Sequence, residues 1–232
     1  MIKIVFATGT RCGSEFLIKL TNSVLQENPT CISSKFSSLT PGRNESVNKE
    51  ILKPNYKFFW QQNQPLEYFR LHNIESVKIE HPGKDMLAVE ISSSFPKAKF
   101  LSTIRPIEEI VLSHSLIPKW GKKKEEVVSN WIADLNILEY LGSLGRLFIL
   151  DINNHKYFSS DKFLNFLECA ITDRFKYMES NWPKVNSLDY QLGKKGKVSD
   201  LSHKNTALTR QELIDLYPII PSIEERYHKL LN

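Results

Sequence analysis

The residues with the strongest chemical signal lie in Ala7-Thr8-Gly9-Thr10-Arg11-Cys12-Gly13-Ser14, where an apolar run gives way to an amphipathic helical pattern. A strand-to-helix turn of this kind directs several backbone N–H groups at one point, and the helix dipole adds positive potential there. The segment therefore predicts a phosphate site, although a tight turn without a ligand would carry the same pattern. A Walker A loop is longer and has Lys before its final Ser or Thr, where this chain has Gly13, so ATP or GTP hydrolysis is disfavoured.

A second polar group follows the most apolar strand pattern of the chain, Lys99 to Ile104. Arg105 comes directly after it, and Ser113 lies eight residues further on, about two turns into the next predicted helix. Both side chains could face the edge where the carboxyl ends of parallel strands form a ligand crevice. A guanidinium can bind two phosphate oxygens and a hydroxyl a third. The alternative is a surface arginine that pairs with Glu108 or Glu109.

A third basic segment, Gly193-Lys194-Lys195-Gly196-Lys197-Val198-Ser199-Asp200, lies near the end of the sequence. Its glycines allow a ligand to approach the backbone closely, and its lysines supply positive charge. A solvated surface loop would have the same composition.

Together and in this order, the three segments resemble the sulfotransferases that use 3′-phosphoadenosine 5′-phosphosulfate (PAPS). The segment Gly9 to Ser14 is similar to the 5′-phosphosulfate loop of that family. Arg105 and Ser113 resemble the pair that binds the 3′-phosphate, and Lys194-Lys195-Gly196 resembles the late basic loop that closes on the same phosphate. The chain departs from the family after the strand arginine, where it has Pro106-Ile107 instead of Asp-Pro.

The resemblance implies a three-layer, P-loop-NTPase-like α/β fold, PAPS as the cofactor with PAP as its product, and no metal. It makes Arg11 the residue that stabilises the leaving 5′-phosphate. Cys12 stands where Ser is common, and we interpret it as a small packing residue rather than a reactive thiol. The residues that the resemblance assigns to nucleotide binding are Gly9, Thr10, Arg11, Cys12, Gly13, Ser14, Glu15, Arg105, Ser113, Lys194, Lys195 and Gly196.

The general base for the acceptor hydroxyl is sought in Lys78-Ile79-Glu80-His81-Pro82, which ends between the two phosphate segments. With the Pro82 register kept, Glu80 takes the position at which many family members carry His or Lys, and a desolvated carboxylate can act as a base. His81 lies one residue on, on the opposite face of an extended strand, and its side chain titrates near neutral pH. Three alternatives remain open: the base is Glu80, the base is His81, or it is neither residue.

The acceptor pocket is expected to draw on the irregular segment from Ser37 to Tyr68, whose aromatic residues Phe58, Phe59 and Trp60 could equally anchor a long loop. The expected acceptor is a hydroxyl of a glycan, a lipid or a small molecule. A nucleic-acid partner is not expected, since no basic stripe interleaved with aromatic residues is present. A non-catalytic module that binds PAP or PAPS is the alternative from a different class. The oligomeric state is left unknown.

Alternating apolar runs and helical patterns predict an α/β domain with a parallel sheet covered by helices. We predict one domain over residues 1–232, with an irregular stretch from Ser37 to Gln64. Thr209-x-x-Glu212 and Ser222-x-x-Glu225 each predict a helix start through a capping box. The predicted strands are 2–7, 30–34, 76–80, 99–104 and 146–150, and the predicted helices are 14–26, 86–91, 107–116, 125–141 and 162–170.

The composition supports this class of protein. The 232 residues are 41% hydrophobic and 25% charged, which suits a globular domain and excludes a disordered chain or a collagen-like repeat. No apolar run approaches the roughly 18 to 20 residues of a membrane span, and Met1 to Ala7 lacks a secretory signal pattern. The three cysteines are an odd number, so a reducing, cytoplasmic compartment is expected. They have no metal-ligand spacing, so no metal is expected. The net charge of +5 suits a small polyanionic ligand.

Overall fold

The computed structural model describes residues 2–9, 12–25, 31–33, 58–60, 76–84, 87–115, 123–153, 158–181 and 208–231. For Glu15, Glu80, Leu87 and residues 31–33 and 58–60 it describes the backbone alone. Within these ranges, no helix has both the length and the apolar character that crossing a membrane requires.

Strands and helices alternate along the described chain. The strands are β1 (Ile4–Thr8), β2 (Cys31–Ser33), β3 (Phe58–Trp60), β4 (Ser76–Glu80), β5 (Lys99–Ile104) and β6 (Leu147–Asp151). The helices are α1 (Ser14–Leu25), α2 (Leu87–Ser94), α3 (Ile107–Ser115), α4 (Lys124–Ser143), α5 (Ser160–Leu167), α6 (Asp173–Ser180), α7 (Arg210–Leu216) and α8 (Ile220–Lys229).

The central sheet is parallel and has the strand order β4-β1-β5-β6. β2 and β3 pair in parallel as a separate two-stranded sheet. Side chains of the central strands alternate between two faces. In β1, Ile4 and Phe6 belong to the apolar cluster with α1, α5 and α6, whereas Val5 and Ala7 belong to the cluster with α2, α3, α4, α7 and α8. Helices thus cover both faces of a parallel sheet, as sequence predicted.

The start of β5 is fixed by Arg146, which lies in the turn before β6. Its Nη1, Nη2 and Nε atoms donate to the carbonyl oxygens of Ser92, Phe95 and Ala98 over 2.7, 2.7 and 2.9 Å. One guanidinium therefore holds the end of α2 and the turn into β5 against β6. This anchor sets the position of the strand whose other end carries Arg105.

From β1 the chain goes on to a central strand on one side of the β1–β5 pair, and from β5 it goes on to a strand on the other side. β4 pairs with β1 on one side, and β6 pairs with β5 on the other. In open parallel sheets, such a change of direction opens a crevice at the carboxyl ends of the two strands, and ligands bind there. The crevice of this protein therefore lies between the end of β1, where the glycine turn begins, and the end of β5.

Most predicted elements lie within a few residues of the observed ones, but two predictions fail and one helix was missed. β3 forms inside the stretch predicted to be irregular, because three consecutive aromatic residues suit a strand. The capping box at Thr209 is present with both of its hydrogen bonds. The box predicted at Ser222 is wrong, since α8 begins earlier, at Ile220, with a proline in its first turn. Helix α6, which Thr172 caps, was not predicted.

Candidate functional site

The glycine turn after β1 is closely packed at Gly13. The backbone there has a φ of +88°, a conformation that glycine adopts without the steric cost of a Cβ. A Cβ atom at this position would lie 2.4 Å from Cδ1 of Ile152, which is shorter than any van der Waals contact. The conformation therefore requires glycine at position 13, and any larger residue would also have to displace the end of the Ile152 side chain.

Helix α1 begins directly after this turn, at Ser14. The N–H groups of Phe16 and Leu17 donate to the carbonyl oxygen of Gly13 over 3.0 and 3.2 Å and so close the first turn. The amides that precede them in a helix have no acceptor within it and point out of its N-terminus, where the dipole favours an anion. The predicted residues Thr10 and Arg11 and the side chain of Glu15 lie outside the described part of the chain.

Cys12 is a buried packing residue of this turn. Its side chain belongs to the apolar cluster that Val5 and Ala7 of β1 form with α2, α3, α4, α7 and α8. Burial raises the pKa of the thiol to about 12, the nearby Asp134 carboxylate adds to that rise, and Arg105 opposes it. A thiol with so high a pKa is protonated at neutral pH, which agrees with the interpretation of Cys12 as a packing residue.

His81 lies directly after β4, but its backbone does not continue the strand. The residue has a φ of +56°, and its N–H donates to the carbonyl oxygen of Thr8 at the end of β1 over 3.1 Å. The prediction that His81 lies on an extended strand opposite Glu80 is therefore wrong. The backbone of Glu80 pairs in register with Thr8, and its side chain lies outside the description, so its proposed role stays a prediction.

The imidazole of His81 is paired with Asp134 of α4. The Nδ1 atom lies 2.9 Å from Oδ2 of Asp134, and the other carboxylate oxygen accepts the N–H of Gly83 at the same distance. Both residues are buried, with 4% and 3% of their surfaces exposed. A Cβ atom at Gly9 would lie 3.1 Å from Asp134 Oδ2 and 3.9 Å from His81 Nδ1, so the pair adjoins the glycine turn.

Asp134 was not among the residues singled out from the sequence. It lies between Trp131 and Leu138 on the apolar stripe predicted for this helix, at spacings of three and four residues that put all three on one face. Aspartate is almost never fully buried unless it is paired. A charged residue inside an otherwise apolar stripe is the signal that could have revealed it.

Arg105 leaves the end of β5 and is bonded to α3. Its Nε atom donates to Oε2 of Glu109 over 2.7 Å, while Oε1 of the same carboxylate accepts Nδ2 of Asn153 over 2.7 Å. The pairing with an acidic residue that the sequence left as an alternative is thus observed. Ser113 is buried one turn further along α3, on the helix face that carries Glu109.

A cavity of about 240 Å³ opens beside Arg105, between the ends of β5 and β6 and the C-terminal helices. Arg210 and Glu224 pair with each other in its wall. Oε2 of Glu108 is buried and has no hydrogen-bond partner among the described residues. The residues that line this cavity are Ile104, Arg105, Pro106, Glu108, Trp131, Asp151, Arg210, Glu224, Tyr227 and His228.

The sheet order brings three of the sequence-predicted features to one edge. His81, Gly9 and Arg105 follow the carboxyl ends of β4, β1 and β5, which are neighbours in the sheet. Adjacent strands lie about 4.8 Å apart, so the three positions form a row along the crevice. Lys194, Lys195 and Gly196, the late basic segment, fall outside the described residues.

The comparison with solved structures assigns the fold. The chain is similar to the mouse sulfotransferase SULT7A1 complexed with PAP, with a TM-score of 0.53 and 11% identity over 97% of this chain and 88% of the other. It is also similar to the sulfotransferase STF1 of Mycobacterium tuberculosis, with a TM-score of 0.52 and 12% identity over 98% and 77% of the two chains. No family model and no curated protein sequence matches.

At these identities the likeness concerns the fold alone. The protein has the fold of the sulfotransferases, a three-layer, P-loop-like α/β fold with a parallel sheet between helices. The predicted fold class is confirmed.

Proposed function

We propose that this protein transfers a sulfuryl group from PAPS to a hydroxyl of a carbohydrate, lipid or small-molecule acceptor and releases PAP. One observation carries the proposal. The glycine turn with its helix N-terminus and Arg105 flank the crevice where the strand order changes direction, in a fold shared with sulfotransferases. This is the place where an α/β sheet binds a ligand, and both features favour anions.

The described residues fit a nucleotide with two separate phosphate groups. The first-turn amides of α1 suit one phosphate, and the guanidinium of Arg105 suits the other, because the two groups follow the adjacent strands β1 and β5. The carboxylate of Glu109 is hydrogen-bonded to Arg105 and would give way to a phosphate. Ser113 adds a hydroxyl on the same helix. Arg11, Lys194, Lys195 and Gly196 are proposed to add further contacts.

PAPS would supply an activated sulfuryl group whose leaving group is a phosphate. The amides of α1 and the Arg11 side chain would neutralise the negative charge that grows on that phosphate, which lowers the barrier to transfer. A group at the end of β4, either Glu80 or His81, would take the proton of the acceptor hydroxyl. The glycine turn and the end of β4 are neighbours, as this chemistry requires.

Calorimetry with PAP, AMP and ATP–Mg²⁺ tests the nucleotide. AMP differs from PAP only by the 3′-phosphate, so we expect PAP to bind at least about tenfold more tightly, since a charge-assisted contact contributes about 1.5 to 3 kcal/mol. Equal affinities for PAP and AMP would contradict the proposal. Tighter binding of ATP–Mg²⁺ than of PAP would instead indicate a kinase-like activity.

Transfer of labelled sulfate from PAPS onto a panel of glycans, lipids and phenols tests the reaction. We expect at least one class to accept the label. Tight PAP binding with no labelled product from any acceptor would support the non-catalytic PAP-binding module.

A further inference from the structure

The structure carries an inference about Asp134, which rests on the proposed function and deepens it. Both carboxylate oxygens have assigned partners, the imidazole of His81 and the backbone N–H of Gly83, each at 2.9 Å. Gly83 follows His81 by two residues, so one carboxylate fixes both the ring and the turn that carries it. A ring held in this way keeps one orientation relative to the glycine turn.

The pairing also determines which ring nitrogen carries the proton. A carboxylate accepts hydrogen bonds, which assigns Nδ1 of His81 as the donor to Asp134. In the neutral imidazole the other nitrogen, Nε2, is then the basic one. This is the tautomer that a general base needs, because the nitrogen away from the carboxylate is the one able to take a proton.

The backbone of His81 turns the side chain out of the strand. Among the described non-glycine residues, only His81 and Glu168 have a positive φ, and Glu168 is the C-cap of α5, where this conformation is common. His81 has no such helix-capping role. Backbone conformations of this kind cluster at functional sites, and here the ring lies beside the glycine turn, with Nδ1 3.9 Å from the position that a Cβ of Gly9 would take.

Two titratable groups of the described residues near the pair, the Cys12 thiol and the Tyr227 hydroxyl, are neutral. The Cys12 thiol, next to Gly9, has a pKa of about 12. The Tyr227 hydroxyl of α8 is buried and donates to the carbonyl oxygen of Trp131; burial, and then the charge of Asp134, raise its pKa well above its ordinary value. The positive charge that His81 gains when Nε2 takes a proton would therefore lie directly beside the Asp134 carboxylate, while the cation of Arg105 lies on the side of Cys12.

We propose that Asp134 is a positioning residue that holds His81 as the general base of sulfuryl transfer. His81 Nε2 takes the proton of the acceptor hydroxyl while the acceptor oxygen forms its bond to sulfur. The bond between sulfur and the oxygen of the 5′-phosphate breaks, and its electron pair stays on that phosphate. Before the transfer, Asp134 keeps the proton of the neutral imidazole on Nδ1. After the transfer, it stabilises the imidazolium that results. The assignment selects His81 over Glu80 as the base.

The first test compares Asp134→Asn with the wild type and with Asp215→Asn, a matched change at an exposed aspartate on α7. Asparagine keeps the shape but presents no charge to the ring. We expect kcat for transfer from PAPS to fall at least about 100-fold, the usual contribution of general base catalysis, with PAP affinity within threefold of the wild type. Full kcat in Asp134→Asn would overturn the inference. Transfer by the wild type in the same assay would still leave the proposed function standing.

The second test does not depend on activity. Nitrogen NMR of histidine-labelled protein reports which ring nitrogen is protonated, and the His81 signal is the one missing from His81→Gln. We expect the Nδ1–H tautomer in the wild type and in Asp215→Asn, and a shift toward the other tautomer in Asp134→Asn. An Nε2–H tautomer in the wild type overturns the inference.

A third variant serves in case Asp134→Asn fails to fold. His81→Gly leaves Asp134 bonded to the turn, and added imidazole can occupy the space of the missing ring. We expect turnover to be lost and partly restored by imidazole, with PAP binding unchanged throughout. Full turnover of His81→Gly without imidazole overturns the inference. Failure of the wild type to bind PAP at all overturns the proposed function and this inference with it.

Discussion

Nε of Arg105 donates to Oε2 of Glu109 over 2.7 Å, so the cation that follows β5 is held by the helix that comes after it. The pair is partly exposed, with 23% and 37% of the two side chains accessible. Glu109 therefore already binds the guanidinium that, under the proposed function, would bind a phosphate. Binding of that phosphate would replace one anion by another, and the affinity would reflect the difference between them.

We expect Glu109→Gln to bind PAP about two- to fivefold more tightly than the wild type. The removed ion pair is partly exposed, and such pairs contribute about 0.2 to 1 kcal/mol. Calorimetry at fixed ionic strength measures the change, with AMP affinity expected to stay constant. Glu90→Gln, at an exposed position of α2, is the control. Weaker PAP binding by Glu109→Gln would mean that the carboxylate orients Arg105 instead of competing for it.

Arg105 itself should distinguish PAP from AMP. We expect Arg105→Lys to weaken PAP binding by about tenfold, because an ammonium lacks the forked donor geometry of a guanidinium. Arg105→Ala should cost about 10- to 100-fold, and neither change should alter AMP affinity more than about twofold. The ratio of the two dissociation constants is the measurement. An equal loss for both nucleotides would place Arg105 at the 5′-phosphate or indicate a distorted sheet edge.

Ser113 offers a paired test on the same helix. We expect Ser113→Ala to weaken PAP binding by about tenfold through the loss of one hydrogen bond to a charged phosphate. Ser115→Ala should have no effect on binding, since that exposed hydroxyl donates to the carbonyl oxygen of Leu112 within its own helix. Equal affinities of the two variants would remove Ser113 from the proposed nucleotide site.

The parts of the site that could be predicted from the sequence are those set by local pattern. A strand, a glycine turn and a helix start follow one another around Gly13, and Arg105 ends an apolar run, so both positions follow from short stretches of chain. The His81–Asp134 pair joins residues 53 positions apart. It depends on how α4 is rotated against the end of β4, which periodicity alone does not determine.

Backbone conformation accounts for two further differences between the sequence prediction and the structure. Alternation along Lys78 to His81 assumed extended backbone, whereas His81 has a positive φ and leaves the strand. The pattern at Ser222 satisfied a capping box, but Pro221 in the preceding position favoured an earlier start of α8. In both cases a neighbouring residue or strand decided between two locally possible conformations.

Gly13→Ala should be strongly destabilising. Its Cβ would overlap Ile152 at 2.4 Å in addition to the cost of a positive φ, so we expect the free energy of unfolding to fall by more than about 2 kcal/mol. Gly145→Ala is the control, because that glycine also has a positive φ, of +64°, but open space around it. Its expected cost is about 1 kcal/mol. Urea denaturation measures both, and equal losses would show that the turn yields to the added atom.

The wall of the cavity beside Arg105 should depend on an ion pair between α4 and α8. Arg226 Nε and Nη2 donate to the two carboxylate oxygens of Glu139 over 2.8 and 2.5 Å. This hydrogen bonding lowers the pKa of Glu139 from its ordinary value of 4.5. The pair stabilises α8 against α4, and α8 carries Tyr227 and His228 of the cavity.

Because the folded protein holds the Glu139 pKa below that of the unfolded chain, the stabilisation is present above about pH 4.5 and is lost as the pH falls through the lowered pKa. We expect Glu139→Gln to unfold more easily than the wild type at pH 7, by less than about 1 kcal/mol since both side chains are about one-third exposed. At pH 3 the gap should be smaller. Glu225→Gln, which removes a more exposed pair with Lys229, should show a smaller effect at pH 7. Urea denaturation at pH 7, 5 and 3 measures the series, and a gap that stays constant with pH would show that Glu139 acts through packing rather than through its charge.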